Sequence, residues 1–369
     1  MRSRPSVTDV ARLAGVSVGT VSNVLNRPGR VSPATRERVE RAIAQLEFVP
    51  SGSARQLRAG VAQSVGAVVL DLGNPFFTAV TRGIEDRLTP EGIALIVASS
   101  DELPSRESER LVLLEQHGVR GILVTPSSDD LDQYEALRRR GTPVVLMDAG
   151  LGTGFPTVAV DDVLGGRLAV QHLLDLGHRR IAVVTGPSTI RQCVDRVVGA
   201  RLAVADAGLD PDEVLVEVPV PALNADEGEE VAHRLLARQE QWRPTGIFCV
   251  NDLLALGALR TLLRAGVSVP GQMAVVGYDD VPFASMLMVP LTTIRQPTHQ
   301  IGWSAADLLL TLNASDAGAD DAGRPAPEVQ FAPELVVRLS SDPSRDPERA
   351  SERDPERAPT RDRGPAQAD

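Results

Sequence analysis

Short apolar runs alternate with helical patterns along most of this chain, and that alternation constrains the fold more than any other feature. The runs fall at residues 65–70, 94–98, 121–124, 144–147, 181–184, 247–250 and 274–277. Helical periodicity separates them at 76–88, 106–116, 131–140, 164–176, 196–207, 227–237 and 253–265. Repeated β–α alternation predicts α/β architecture, with doubly wound parallel sheets covered by helices on both faces. Two units of similar size fit between residues 63 and 340. Ligands of such sheets bind beyond the carboxyl ends of the strands.

The segment before this alternation reads as three short helices. Ser6-Val7-Thr8-Asp9 is a capping-box pattern in which Asp9 reaches back to Ser6. Val10, Leu13 and Ala14 then share a face, and Gly15 ends the helix where a left-handed backbone is tolerated. Ser17 caps a second helix with Val21, Val24 and Leu25 as its apolar face, and Asn26-Arg27-Pro28-Gly29 is a loop. Ser32 caps a third helix, with Pro33 in its first turn and Val39, Ile43 and Leu46 inward. Helix, tight glycine turn and capped second helix form a helix-turn-helix, which lays its second helix in a DNA major groove. Val18, Gly19, Thr20, Ser22 and Asn23 lie along its exposed side. Asn23 suits an adenine edge, and Thr20 and Ser22 suit phosphates.

The charge distribution agrees with one nucleic-acid-facing domain. The whole chain carries −11. Residues 1–60 hold ten arginines against four acids, a net +6, which leaves −17 for the rest. No lysine occurs in the chain, so every fixed positive side chain is a guanidinium; biased codon usage accounts for this as well as bidentate phosphate contact does. No stretch is long and apolar enough to span a bilayer, so no membrane partner is expected. A polar helix pattern follows the basic Met1 to Ser6, so export by a standard signal peptide is not expected and the location read from the sequence is cytoplasmic. Cys193 and Cys249 lack metal-ligand spacing and read as buried, reduced thiols. Residues 341–369 repeat Arg-Asp-Pro-Glu-Arg-Ala at 345–350 and 353–358 and read as a disordered tail. Residues 313–328 read as a smaller polar loop.

The run from Thr8 through Asn26, continuing into Arg30-Val31-Ser32-Pro33-Ala34-Thr35-Arg36, resembles the head of the lactose/galactose-repressor family of bacterial transcription regulators. Phe48-Val49-Pro50 and Ser53-Ala54-Arg55-Gln56-Leu57 resemble the lead-in and hinge of that family. The likeness continues through Asn74-Pro75-Phe76-Phe77, Asp161-Asp162-Val163-Leu164-Gly165-Gly166, the stretch from His172 to Ile181, Val250-Asn251-Asp252, Val276-Gly277-Tyr278-Asp279-Asp280 and Pro290-Leu291-Thr292-Thr293-Ile294. It covers nearly everything to Ser340.

The resemblance implies a helix-turn-helix head at 1–48, a hinge helix and linker at 49–62, and a periplasmic-binding-protein-like core of two α/β subdomains at 63–340. It implies double-stranded DNA with a pseudo-palindromic operator as partner, a homodimer, and a small-molecule effector such as a sugar. The DNA-contacting set it implies is Thr8, Ser17, Val18, Gly19, Thr20, Ser22, Asn23, Asn26, Arg30, Ala54 and Leu57. Leu57 takes the position whose side chain wedges into the minor groove, where unstacking a step kinks the duplex. The ligand set it implies is Phe76, Asp148, Asp161, Arg196, Asn251 and Asp279, with Gln296 nearby. Carboxylates and amides there meet hydroxyl groups, Arg196 supplies donors and Phe76 an apolar face. Arg196 also suits pairing with an acid across the cleft and Asp279 capping a turn, and for Asp148 a structural role weighs equally with a ligand role. Some sugar-binding members carry an aromatic where this chain has Leu223 beside Asn224.

Two rival classes remain. An enzyme would show a nucleophile elbow, a P-loop or a dinucleotide fingerprint, and none is present. His172 and His178 do not share a helical face, so no metal and no cofactor are expected. A transport-type solute-binding protein would fit the core but not the basic head.

Overall fold

The computed structural model describes residues 5–48, 64–315 and 325–345. It divides into two compact units between Ala62 and Gln63.

The first unit holds helices α1 (Val7–Ala14), α2 (Val18–Asn26) and α3 (Pro33–Gln45), with a 3₁₀ turn at Pro28–Arg30. The capping box forms as the sequence predicts. Asp9 N–H donates to Ser6 Oγ at 3.3 Å and Ser6 N–H donates to Asp9 Oδ2 at 2.9 Å. Gly15 takes φ 64°, and Ser17 and Ser32 cap α2 and α3. The core is Val10, Ala11, Ala14, Val21, Val24, Val39 and Ala42. Leu13 and Leu25 are not part of it, being 45% and 36% exposed. The buried arc of α1 is centred on Ala11 and Ala14, which swings Leu13 to its edge; Leu25 is displaced similarly on α2.

The second unit contains two six-stranded sheets. Strands β1 (Ser64–Val69), β2 (Ala94–Ser99), β3 (Ile122–Val124), β4 (Val144–Met147), β5 (Thr157–Val160) and β11 (Glu328–Phe331) form one, in the order β11-β5-β4-β3-β1-β2. Strands β6 (Ile181–Thr185), β7 (Leu215–Pro219), β8 (Gly246–Cys249), β9 (Ala274–Asp279), β10 (Thr292–Arg295) and β12 (Glu334–Val336) form the other, in the order β12-β10-β9-β8-β6-β7. All pairings are parallel except β10 with β12. Around the first sheet run α4 (Pro75–Leu88), α5 (Pro104–Gln116), α6 (Asp132–Arg139) and α12 (Thr298–Ser315). The second carries α7 (Asp162–Asp175), α8 (Arg191–Asp206), α9 (Pro211–Val214), α10 (Ala225–Leu236) and α11 (Asp252–Arg264).

The two lobes are interleaved, not consecutive halves. The chain enters the second after β5, returns with α12 and β11, and leaves again for β12. Strands β5, β7, β10, β11 and β12 escape the apolar-run criterion. In β10 the reason is plain: Thr292 and Thr293 are fully buried, with hydroxyls bonded to Ser341 and Asp252. Of the loop expected at 313–328, residues 313–315 belong to α12 and Glu328 begins β11, while 316–324 lie outside the described residues. The first residues expected to belong to a disordered tail are ordered: Ser341 is buried and a 3₁₀ turn follows at Pro343–Arg345; residues 346–369 lie outside the described residues.

Helices α7 and α8 cross at a pair of glycines. A Cβ added to Gly166 would lie 2.0 Å from the Arg196 carbonyl oxygen, and one added to Gly199 would lie 2.0 Å from that of Val163. Backbone therefore touches backbone at this crossing. Cys193 and Cys249 are both buried thiols, and burial pushes the first up to about 12. Among the described residues, no helix is long and apolar enough to cross a membrane, and no group of three or more His, Cys, Asp or Glu side chains is disposed to hold a metal ion. The two conspicuous histidines have local partners: His172 Nε2 lies 2.8 Å from Ser341 Oγ, and His178 Nδ1 lies 3.0 Å from Thr245 Oγ1.

Candidate functional site

Both sheets present their carboxyl-terminal strand ends to one cleft. Beyond β1, Asn74 caps α4 and places Phe76 in its first turn, edge-on to Phe77. Beyond β4 comes Asp148 at φ 53°, and β9 ends in Asp279 at φ 116°. Glu102 follows β2 at φ 61°. Left-handed backbone at non-glycine residues is uncommon, and its concentration here marks chain bent to aim carboxylates into the cleft.

From the second lobe, α8 contributes Gln192 and Arg196. Arg196 is buried. Its Nε donates to Asp162 Oδ1 at 2.7 Å, its Nη1 donates to the Val250 carbonyl at 2.6 Å, and its guanidinium carbon lies 3.6 Å from the Tyr278 ring centroid. Tyr278 donates its hydroxyl to the same Asp162 oxygen at 2.8 Å. Burial works against the Arg196 charge, but Asp162 and more distant carboxylates hold its pKa well above the usual value, so it stays a cation. Asn251 caps α11 through Leu254 N–H and donates Nδ2 to the Leu223 carbonyl at 2.9 Å.

Three contacts join the lobes across the cleft. Asn74 Nδ2 donates to Asp279 Oδ2 at 3.3 Å. Gln192 Nε2 donates to Asp148 Oδ2 at 3.1 Å and also to its carbonyl. Leu223 N–H donates to Glu102 Oε2 at 3.1 Å. Between these groups lies a cavity of about 30 Å³, room enough for water-sized occupants. The acids pay for their burial with raised pKa values: Glu102 is pushed up to about 7, and Asp148, Asp162 and Asp279 are all raised, chiefly by desolvation.

Comparison with known proteins adds to this geometry. Residues 6–51 match the model of bacterial regulatory proteins of the lacI family, and residues 170–341 match a periplasmic binding protein-like domain. The HTH-type transcriptional repressor PurR of Photobacterium profundum is 33% identical over 337 residues, covering 91% of this chain and 98% of that protein. The chain belongs to the lacI family of bacterial regulatory proteins. The HTH-type transcriptional regulator DegA of Bacillus subtilis is 32% identical over 344 residues, covering 92% of this chain and 99% of its own. Among solved structures, a Lac repressor dimer bound to operator and the anti-inducer ONPF matches with TM-score 0.76 and 27% identity, over 92% of this chain and 99% of that one. The protein is thus a DNA-binding transcription regulator of the repressor class with a ligand-binding core, and the transport-type alternative falls away.

Within this lacI-family frame, the cleft brings together Phe76, Asp148, Arg196, Asn251 and Asp279 from the expected ligand set. Gln296 stands behind them, donating Nε2 to Asp279 Oδ1 at 2.8 Å. Asp161 does not line the cavity. Its carboxylate accepts from Leu164 N–H at 2.9 Å and caps α7, and its neighbour Asp162 is the acid that pairs with Arg196. Sequence reasoning passed over Asn74, Glu102, Gln192 and Tyr278 as site residues. Asn74 and Tyr278 lay inside quoted motifs. Gln192 had no signal, because α8 begins at Arg191, five residues earlier than its apolar periodicity suggests. Its first turns face the cleft wall and so carry polar side chains inward.

In the head, Thr8, Ser17, Val18, Gly19, Asn23 and Arg30 are exposed and Thr20 and Ser22 are half-buried. Ser17 and Thr20 share a hydroxyl contact at 2.9 Å. Asn26 is the last residue of α2, not part of a loop. Ala54 and Leu57 lie outside the described residues.

Proposed function

We propose that two copies of this chain bind a near-palindromic operator and that a small molecule held between the lobes changes their operator affinity. In this reading, α2 of each copy enters a major groove, with Val18, Gly19, Thr20, Ser22 and Asn23 foremost and Thr8, Ser17, Asn26 and Arg30 on or near the backbone. Ala54 and Leu57 of the two copies meet at the centre, where Leu57 wedges the minor groove. The working division is a head at 1–48, a linker at 49–62, a core from 63 through 345 and a tail after it. The protein acts in the cytoplasm and returns its ligand chemically unchanged.

The observation that carries the ligand switch is the convergence of Asn74, Asp148, Gln192 and Asp279 into bonds that close one lobe upon the other. A molecule seated there replaces these contacts and so has different affinity for open and closed lobes, the requirement for shifting a conformational equilibrium. The test is sequencing of genomic fragments retained by purified full-length protein at near-physiological salt. A short inverted repeat upstream of a few genes is the expected result. Diffuse binding that salt abolishes uniformly is the signature of phosphate contact alone and would remove the operator reading.

A further inference from the structure

The cleft wall combines an excess of acidic side chains with two buried acceptors that have no partner. Its three amides each hold an acceptor: Asn74 Nδ2 donates to Asp279, Gln192 Nε2 to the carboxylate and carbonyl of Asp148, and Asn251 Nδ2 to the Leu223 carbonyl. Arg196, the one cation among the lining residues, gives Nε to Asp162 and Nη1 to the Val250 carbonyl. Asp148 Oδ1 and Gln192 Oε1 are buried without a partner, on side chains only 6% and 4% exposed that both line the cavity. Asp71, Glu102, Asp148 and Asp279 all belong to the wall, while the charge of Arg196 is already matched by Asp162, which lies outside it.

We propose that this cleft takes a small organic cation, a primary amine or amidine, whose N–H groups meet Asp148 Oδ1 and Gln192 Oε1. The inference rests on the cleft being the effector site and adds the chemical class of the effector. A protonated amine brings donors and no acceptor, so it satisfies both orphan oxygens and compensates the carboxylates around them. A phosphate or carboxylate brings the opposite, and would leave two buried acceptors facing an anion. The free volume of about 30 Å³ admits a group the size of an ammonium between the closed lobes; the remainder of the molecule requires them to part.

The test is thermal denaturation of the full-length protein against a library of small amines and amidines, each paired with its neutral and acidic counterpart. Ethanolamine, ethylene glycol and glycolate make one such set, and glucosamine, glucose and gluconate another. The expected result is a raised melting temperature with one or more cations and none with their counterparts. Asp148→Asn then lowers affinity for the stabilising amine by roughly ten- to a hundredfold, the scale of a hydrogen bond to a charged group. Glu102→Gln, on the opposing wall, weakens it as well, and serves if the first variant does not fold. No stabilisation by any amine overturns the proposal, as does equal or better stabilisation by a neutral or anionic counterpart. Operator retention measured with the same compounds separates the two readings. A neutral or anionic compound that binds and alters retention defeats the cation but keeps the switch. An amine that binds without altering retention keeps the cation and defeats the switch.

Discussion

Replacing Gly199 with alanine tests whether the α7–α8 crossing holds the ligand site in place. The added Cβ would lie 2.0 Å from the Val163 carbonyl oxygen and 2.7 Å from Arg167 N. Both obstacles are backbone, so no rotamer change relieves them, and the helices must separate by about 1 Å or more to restore ordinary contact. In an exposed helix the substitution would gain about 1 kcal/mol from propensity. Overpacking costs about 1–3 kcal/mol, occasionally more, and here it also stretches the buried bond from Arg196 to Asp162, 2.7 Å long. The second effect is larger, and a net loss of about 2 kcal/mol corresponds to a melting temperature about 3 °C lower for a unit of this size. Thermal melting followed by circular dichroism reads it directly. Operator retention without ligand should survive, because the head is a separate unit. A variant that melts at or above the parent temperature would show that the crossing has slack, and the reasoning from backbone contact would be wrong.

Tyr278→Phe removes the hydroxyl that donates to Asp162 at 2.8 Å and should cost about 1–3 kcal/mol in chemical denaturation, the loss for a buried carboxylate deprived of a donor. Asp9→Ala removes the side-chain half of the α1 capping box while the backbone N–H of residue 9 keeps its bond to Ser6 Oγ, and should lower head stability by about 0.5–1 kcal/mol, measured by hydrogen exchange of the first helix. Asp279→Ala should abolish the effector's influence on operator retention while sparing retention itself; an unchanged ligand titration would remove Asp279 from the binding set. Burial lifts Glu102 from 4.5 to about 7, so between those values the folded state holds a proton that the unfolded chain releases. Stability should therefore fall as pH rises through that window, and Glu102→Gln should flatten the dependence of melting temperature on pH.

The parallel sheets were legible because buried strands of Val, Ile and Leu stand out against helical patterns. The head was legible because its caps are local: Ser6, Asp9, Gly15 and Ser17 act on neighbours within four residues. What escaped depends on distant partners. Thr292 and Thr293 read as polar until Ser340, Ser341 and Asp252 are brought to them by the fold. The start of α8 was hidden because Gln192 and Arg196 face a polar cleft instead of an apolar core. Adjacent Asp161 and Asp162 could not be told apart by type. One turn of helix decides that the first caps α7 and the second meets Arg196.

The interleaving of the lobes bears on how the chain is made. The first sheet takes its edge strand from residues 328–331 and its covering helix from 298–315, while the second takes its edge strand from 334–336. During synthesis from the amino end, neither lobe can be completed while the other is still missing most of its chain. The first lobe, although translated earlier, waits with the flank of β5 open until nearly the whole core has emerged. Domains made of contiguous chain fold in sequence as they leave the ribosome; here both lobes close within a few residues of one another. A ribosome that stops before residue 328 therefore leaves no finished lobe behind, and a truncated product would be cleared as unfolded protein instead of persisting as half a regulator on the operator.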